Sequence, residues 1–161
     1  MYYIKSCLTR FSAAHRLVKN YQGKCAHLHG HDYRVYVVLG AKRLNEYDFV
    51  MDFSDIKKYF KNWVNLHWDH ATIVCADDHA LIEFLEQHQQ RYFQLPEHKN
   101  STAEVLAEQL FHQFQHQLHT ELKHLNPAAE LMAVEIWETQ KSGAIYSAQG
   151  LSLAGQVCGT E

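Results

Sequence analysis

The chain has 161 residues, 47% of them hydrophobic, and 15 lysine and arginine residues against 18 aspartate and glutamate residues give a formal net charge of −3. This length and composition suit one domain, residues 1–161, with an ordinary hydrophobic core. No signal peptide opens the chain, no apolar run has the length of a membrane span, and no dense basic run indicates nucleic-acid binding. We therefore expect a cytoplasmic protein with reduced cysteines that binds neither membranes nor nucleic acid.

The first part of the chain is predicted to hold two strands and a helix. Residues 2–14 form a strand that leads into His15, residues 33–41 form a second strand rich in β-branched and aromatic residues, and turn-forming residues lie between them. We expect the two strands to pair as a hairpin. A helix follows, with Ser54 as its predicted N-cap and apolar residues at helical spacing up to residue 66.

Two histidines stand at the entrance to the second strand, His29 and His31, on either side of Gly30. Because side chains alternate along a strand, both imidazoles point to the same face. Hairpin pairing would bring His15 alongside them, and three histidines with one open position suit a catalytic zinc ion. The sequence therefore predicts a Zn2+ site at His15, His29 and His31. Cys25 is the only cysteine placed to act with these histidines.

Asp69 and His70 follow directly after the predicted helix. Such a pair is commonly an exposed loop feature. An aspartate can also fix the tautomer of an adjacent imidazole and stabilise its charged form, so that the histidine moves protons near neutral pH. Both interpretations are open at this point of the chain.

The second part of the chain is predicted to hold two helices and two strands. Residues 77–93 have the pattern of a helix rich in glutamine and histidine. Ser101 and Glu104 have the spacing of a capping box, which opens the longest helical pattern of the chain. Asn126-Pro127 ends that helix, and an alternating strand follows, with a turn at Ser142-Gly143 into a last short strand.

Glu138 stands at the end of the apolar row of the penultimate strand, on the face of Val134 and Ile136. Burial of an unpaired carboxylate is costly, so the group is either exposed at the strand end or paired with a ligand. A ligand with two parallel N–H donors, such as the pyrimidine edge of a pterin, would satisfy the carboxylate in a bidentate way.

Six pieces of this sequence, in their order, resemble the 6-pyruvoyl-tetrahydropterin synthase superfamily: His15, Cys25, His29-Gly-His31, Asp69-His70, Thr102-x-Glu104 and Glu138. The three-residue gap between Cys25 and His29 resembles the bacterial branch of that superfamily, the 6-carboxytetrahydropterin synthases. The resemblance covers residues 2–149 except for residues 77–98, which look like a peripheral insertion, and the tail 150–161 lies outside it.

The resemblance implies an α+β fold, the tunnelling fold: a four-stranded antiparallel sheet with two main helices on one face, here with an inserted helix. It also implies a homohexamer of two trimers whose sheets close into barrels. Active sites would then lie at subunit interfaces, so that Asp69 and His70 would serve the Cys25 of a neighbouring subunit.

The same resemblance implies the roles of the residues. Zinc on the three histidines polarises the substrate, Cys25 is the base, and His70 with Asp69 is the second proton carrier. Glu138 anchors the pterin, and Thr102 and Glu104 join its pocket. The reaction implied converts 7,8-dihydroneopterin triphosphate into 6-carboxy-5,6,7,8-tetrahydropterin, with release of acetaldehyde and triphosphate, on the route to queuosine.

Three alternatives are open from the sequence. A 6-pyruvoyl-tetrahydropterin synthase would use the same residues and stop after triphosphate loss, although the cysteine spacing argues against it. A non-catalytic zinc-binding protein would use Cys25 as a fourth ligand and close the site. A zinc hydrolase with a general-base carboxylate is disfavoured, because the chain lacks a His-Glu-x-x-His signature.

Overall fold

The computed structural model describes residues 1–147, and one mixed sheet organises them. Its strands are β1 (Tyr2–His15), β2 (His29–Ala41), β3 (Ala71–Cys75), β4 (Tyr92–Leu95), β5 (Ala129–Trp137) and β6 (Gly143–Tyr146). Their order across the sheet is β4-β3-β1-β2-β5-β6. Strand β2 pairs antiparallel with both β1 and β5, as expected. Strand β6 pairs antiparallel with β5.

The two main helical segments pack on one face of the sheet, whereas the short helix after β3 packs on Val74 in a separate small cluster. Helix α1 (Phe53–Ile56) continues through a π-helical turn (Lys57–Lys61) into α2 (Asn62–His67), whereas α3 (His79–Gln87) lies between β3 and β4. The longest helix, α4 (Ala103–Gln117), also ends in a π-helical turn (Leu118–Leu122). None of these helices, within residues 1–147, has the length and apolar character needed to cross a membrane.

The core lies between the sheet and the two main helical segments. Phe60 in the first π-helical turn stacks on Phe114 of α4, with ring centroids 4.4 Å apart, and both side chains are fully buried. The alternating row of β2, which includes Tyr33, Val35 and Val37, faces these helices. This packing fixes which face of β2 points into the protein.

The expectation of a four-stranded antiparallel sheet is wrong, because β3 and β4 extend the sheet beyond β1 with parallel pairing. All five residues of β3 are buried, so the strand shows no alternation that would reveal it in the sequence. The helix predicted over residues 77–93 is shorter than expected: α3 ends at Gln87 and β4 follows. Segment β3-α3-β4 therefore forms a parallel strand–helix–strand unit.

Both predicted N-caps are wrong by one or two residues. Helix α1 is capped by Asp52, whose carboxylate accepts the Ser54 backbone N–H at 2.7 Å. Helix α4 is capped by Thr102, whose hydroxyl accepts the Val105 N–H at 3.4 Å. Ser101 is thereby free for another role, because its backbone lies outside the helix.

Candidate metal centre and its surroundings

Three imidazoles meet where β1 ends and β2 begins. His15 is paired with His29 in the β1–β2 register, and Ala13 is paired with His31. One ligand atom from each of His15, His29 and His31 lies within 4.8 Å of the others, and the ring centroids are 4.5 to 5.1 Å apart. The structure thus brings together the three histidines predicted to hold a metal ion.

Backbone carbonyls orient two of these rings. The Nδ1–H of His15 donates to the Ser101 carbonyl oxygen at 2.7 Å, and the Nδ1–H of His29 donates to the His27 carbonyl oxygen at 2.7 Å. A carbonyl oxygen only accepts, so each ring carries its hydrogen on Nδ1 and leaves a lone pair on Nε2. The neutral tautomer that a metal requires is therefore the one that the surrounding backbone selects.

The two Nε2 atoms face each other at 3.2 Å. Two lone pairs at that distance repel unless a cation lies between them, and nitrogen ligands about 2.0 to 2.1 Å from a tetrahedral zinc ion are about 3.3 Å apart. The donor set and its spacing therefore fit a divalent metal ion such as zinc, held by three imidazoles.

Burial keeps His15 neutral. His15 is 2% exposed, and its pKa is lowered to about 4, mainly by burial and also by the nearby His29 and His31, against the opposing effect of the Ser101 carbonyl. A metal ligand must be deprotonated, so this environment prepares His15 for coordination at neutral pH.

Cys25 lies in the short 3-10 turn Lys24–Ala26, half-buried, close to the start of β2. Interaction with the Cys25 side chain raises the pKa of Tyr21. Gly23 makes this contact possible: a Cβ atom there would overlap the hydroxyl of Tyr21, so the ring lies directly against the glycine backbone. The sequence does not single out Tyr21, whose role depends on how the turn folds back.

Tyr33 joins the remaining parts of the site. Its ring centroid is 5.4 Å from that of His31, its hydroxyl is fully buried, and that hydroxyl has no hydrogen-bond partner among residues 1–147. Burial raises the pKa of Tyr33, and the negative charges of Glu138 and Cys25 add to the shift. Glu138 is half-buried directly after β5, near enough for its charge to act on this phenol.

Asp69 and His70 lie directly before β3, beside Ser12 of β1. The Asp69 carboxylate is 3.0 Å from the His70 ring and accepts the Ser12 N–H at 3.1 Å. His70 has a φ of 56°, a backbone conformation that residues other than glycine rarely adopt. Its N–H donates to the Ser12 carbonyl oxygen at 2.7 Å. The His70 side chain is 78% exposed. No hydrogen bond or ion pair within residues 1–147 joins this pair to Cys25.

The groove beside His70 has a volume of about 500 Å3. Its floor is made of small residues on adjacent strands, Ala14, Gly30 and Thr72, and His31 and Arg91 also line it. His70 therefore faces a space wide enough for another group, rather than packing against its own subunit.

The two remaining candidate residues lie at the start of α4. Thr102 is its N-cap, half-buried, and Glu104 is exposed in the first turn, where a carboxylate is favourable for the helix dipole. These local roles explain both residues without a ligand. Their predicted contact with a pterin stays a prediction.

Comparison with known proteins agrees with this fold. Residues 5–149 match the family model described as 6-pyruvoyl tetrahydropterin synthase. An uncharacterized protein from Wolinella succinogenes superposes with a TM-score of 0.73 over 92% of this chain and 98% of its own, at 20% identity. The 6-pyruvoyl tetrahydropterin synthase of Caenorhabditis elegans superposes with a TM-score of 0.60 over 91% and 94% of the two chains, at 26% identity.

Relatives in sequence carry one name. Proteins named 6-carboxy-5,6,7,8-tetrahydropterin synthase are 37% identical over 98 residues in Rickettsia bellii (60% of this chain, 69% of that protein) and 34% identical over 128 residues in Aquifex aeolicus (76% and 75%). The protein of that name from Haemophilus influenzae is 28% identical over 146 residues (84% and 92%). The chain belongs to the 6-pyruvoyl tetrahydropterin synthase family, as its motifs indicate.

Proposed function

We propose that this protein is a zinc-dependent 6-carboxy-5,6,7,8-tetrahydropterin synthase. It would convert 7,8-dihydroneopterin triphosphate into 6-carboxytetrahydropterin, acetaldehyde and triphosphate, as a carbon–carbon lyase of the cytoplasmic route to queuosine. One observation supports this proposal above all: His15, His29 and His31 converge as a three-imidazole metal site in a chain whose relatives in Rickettsia bellii and Aquifex aeolicus carry that name.

Glu138 would hold the pterin ring. Its carboxylate is half-buried at the end of β5, where two parallel N–H donors of a pyrimidine edge would satisfy it. Thr102 and Glu104 would contribute to the same pocket from the start of α4. This arrangement would hold the pterin ring in a fixed position, with the substrate side chain pointing toward the histidines.

Zinc held by His15, His29 and His31 would supply Lewis-acid polarisation of the substrate oxygens. Cys25 would then take a proton from the side chain, and the Tyr21 hydroxyl beside it is placed to stabilise the resulting thiolate. His70 would be the second proton carrier, with Asp69 fixing its ring through the 3.0 Å contact.

Assembly into a homohexamer would complete the site. Asp69 and His70 share no hydrogen bond or ion pair with Cys25 within residues 1–147, and His70 borders an open groove. A neighbouring subunit that places its Cys25 beside this groove would combine the two proton carriers. The proposal therefore puts each active site at a subunit interface.

Product analysis tests the proposed reaction directly. We expect zinc-loaded protein incubated with 7,8-dihydroneopterin triphosphate to yield 6-carboxytetrahydropterin and acetaldehyde, identified by mass. A product that retains the full side chain after triphosphate loss would instead show a 6-pyruvoyl-tetrahydropterin synthase. Zinc binding without any turnover of this substrate would contradict both and favour the non-catalytic zinc-binding protein.

Two variants test the assigned roles. Cys25→Ala should keep zinc and pterin binding while turnover falls by about two to four orders of magnitude, the usual worth of a general base. Glu138→Gln should mainly weaken pterin binding, because its bonds are made to the ring and not to the reacting carbons. Loss of zinc in Cys25→Ala, with the rate restored by excess metal, would show that Cys25 is a ligand.

A further inference from the structure

The segment that follows His15 is anchored by a partly buried ion pair. Arg16 donates two hydrogen bonds to Asp78, from Nε and Nη2, each 2.6 Å long. The Asp78 side chain is 5% exposed, and it also caps α3 by accepting the Leu81 N–H at 3.3 Å. A bidentate pair of this kind fixes both position and orientation of the guanidinium group. Asp78 therefore joins the start of α3 to the residue next to a metal ligand.

Arg16 is connected to the His15 ring through Ser101. The Ser101 hydroxyl donates to the Arg16 carbonyl oxygen at 3.4 Å, and the Ser101 carbonyl oxygen accepts the His15 Nδ1–H at 2.7 Å. Ser101 is fully buried, so neither contact competes with solvent. Four residues thus form a continuous chain of contacts from Asp78 to the imidazole.

Asn100 holds the same two segments together from the other side. Its side-chain oxygen accepts the N–H groups of Val18 and Lys19 at 3.0 Å each, and its amide donates to the Lys19 carbonyl oxygen at 3.2 Å. The backbone that carries the Ser101 carbonyl is therefore tied to the backbone after β1 at several points. Movement of Arg16 would disturb the orientation of His15.

We infer that Asp78 is a positioning residue for the metal centre: through Arg16 and Ser101 it fixes the His15 ring in the orientation and tautomer that coordination requires. This inference rests on the metal centre of the proposed function. Outer hydrogen-bond partners of a metal-bound histidine typically change metal affinity 10- to 100-fold when they are removed. The segment 77–98, expected to be peripheral, would then support the site through its first residues.

The adjacent Asp77 provides a matched control. Its carboxylate contacts the ring and the backbone N–H of His98, both at 2.9 Å, and the His98 side chain is 74% exposed. Asp77 and Asp78 thus have the same charge and neighbouring positions, and each holds a different partner. Of these two carboxylates, only that of Asp78 is hydrogen-bonded to Arg16.

Zinc affinity, measured by competition with a chromogenic chelator, tests the inference in the full chain. We expect Asp78→Asn to bind zinc roughly 10- to 100-fold more weakly than the wild type, and Asp77→Asn to differ by less than about 3-fold. Cobalt in place of zinc should show shifted visible absorption bands in Asp78→Asn alone, since these bands report ligand geometry and are insensitive to stability.

A second variant keeps the test valid if Asp78→Asn fails to fold. Arg16→Lys retains the charge and loses the bidentate geometry, so we expect weaker zinc binding and a smaller spectral shift in the same direction. Wild-type zinc affinity and cobalt spectrum in a folded Asp78→Asn or Arg16→Lys variant would overturn the inference and leave the proposed function intact. Failure of the wild type to bind zinc would overturn both.

Discussion

At the scale of single residues, the backbone prepares the histidines for a metal ion. The Ser101 and His27 carbonyls each take an Nδ1 hydrogen, so that two Nε2 lone pairs converge at 3.2 Å. The period of two in β2 and the β1–β2 register are enough to predict the histidines from sequence. The two carbonyls are invisible there, because any residue type supplies a carbonyl and only the folded loops show which one lies in reach.

Removal of one imidazole should remove the metal. We expect His29→Ala to lower zinc affinity more than about 100-fold, beyond the effect of losing an outer partner, because two remaining imidazoles leave the ion largely solvated. Elemental analysis of the purified variant, with His27→Ala as a control that keeps the His27 carbonyl, measures the change. Full zinc content in His29→Ala would refute the predicted ligand set.

The buried hydroxyl of Tyr33 is expected to lower the stability of the protein. Its hydroxyl is buried without a partner among residues 1–147, and an unsatisfied buried donor costs free energy. We therefore expect Tyr33→Phe to raise the free energy of unfolding of the metal-free protein by about 1 kcal/mol, measured by urea denaturation. A loss of stability would show that the hydroxyl has a partner in solution. Tyr33→Ala, which also removes the ring, should destabilise the protein and serves as the comparison.

At the scale of elements, patterns with a clear period are predictable and short buried strands are not. Helix α4 has an apolar stripe at helical spacing over 15 residues. The pairing of β1 with β2 follows from the long alternation of buried and exposed residues in both strands. Strand β3 has five residues, all buried, and β4 has four, so neither contains enough alternation to be distinguished from a loop. Their parallel pairing depends on α3 as the crossover, which is a tertiary property.

The stacked pair between the helices should carry much of the stability. Phe114 is fully buried, and its ring lies 4.4 Å from that of Phe60. We expect Phe114→Ala to lower the free energy of unfolding by about 3 to 5 kcal/mol, the usual cost of a large cavity in a core. Phe84→Ala is the control, since Phe84 of α3 is 51% exposed and should change stability by less than about 1 kcal/mol. Equal losses in a denaturant titration would contradict this view of the core.

At the scale of the whole molecule, Cys25 and the Asp69–His70 pair share no hydrogen bond or ion pair within residues 1–147. Cys25 lies just before β2, and His70 lies at an open groove that His31 of β2 also lines. The family motifs predict this pair of positions from sequence alone.

A mixing experiment tests the shared site. Cys25→Ala and His70→Ala chains should each be nearly inactive, and co-refolding equal amounts should restore up to about a quarter of the wild-type rate, as random pairing across interfaces gives. Two preparations of Cys25→Ala refolded together provide the control. Failure of the mixture to gain any rate, although it assembles, would place both groups in one subunit.

The position of β5 in the chain also determines the order of events during synthesis. Strand β2 ends at residue 41 and β5, which covers its free edge, begins at residue 129. A ribosome needs roughly 5 to 20 s to make the intervening chain, and an uncovered apolar edge of that length is prone to pair with other chains. We expect fragments that stop before residue 129 to sediment as aggregates, and the fragment 1–147 to remain in the supernatant. Among the strands of residues 1–147, β2, which carries two of the candidate metal ligands, is thus the one whose neighbour is synthesised after the longest delay.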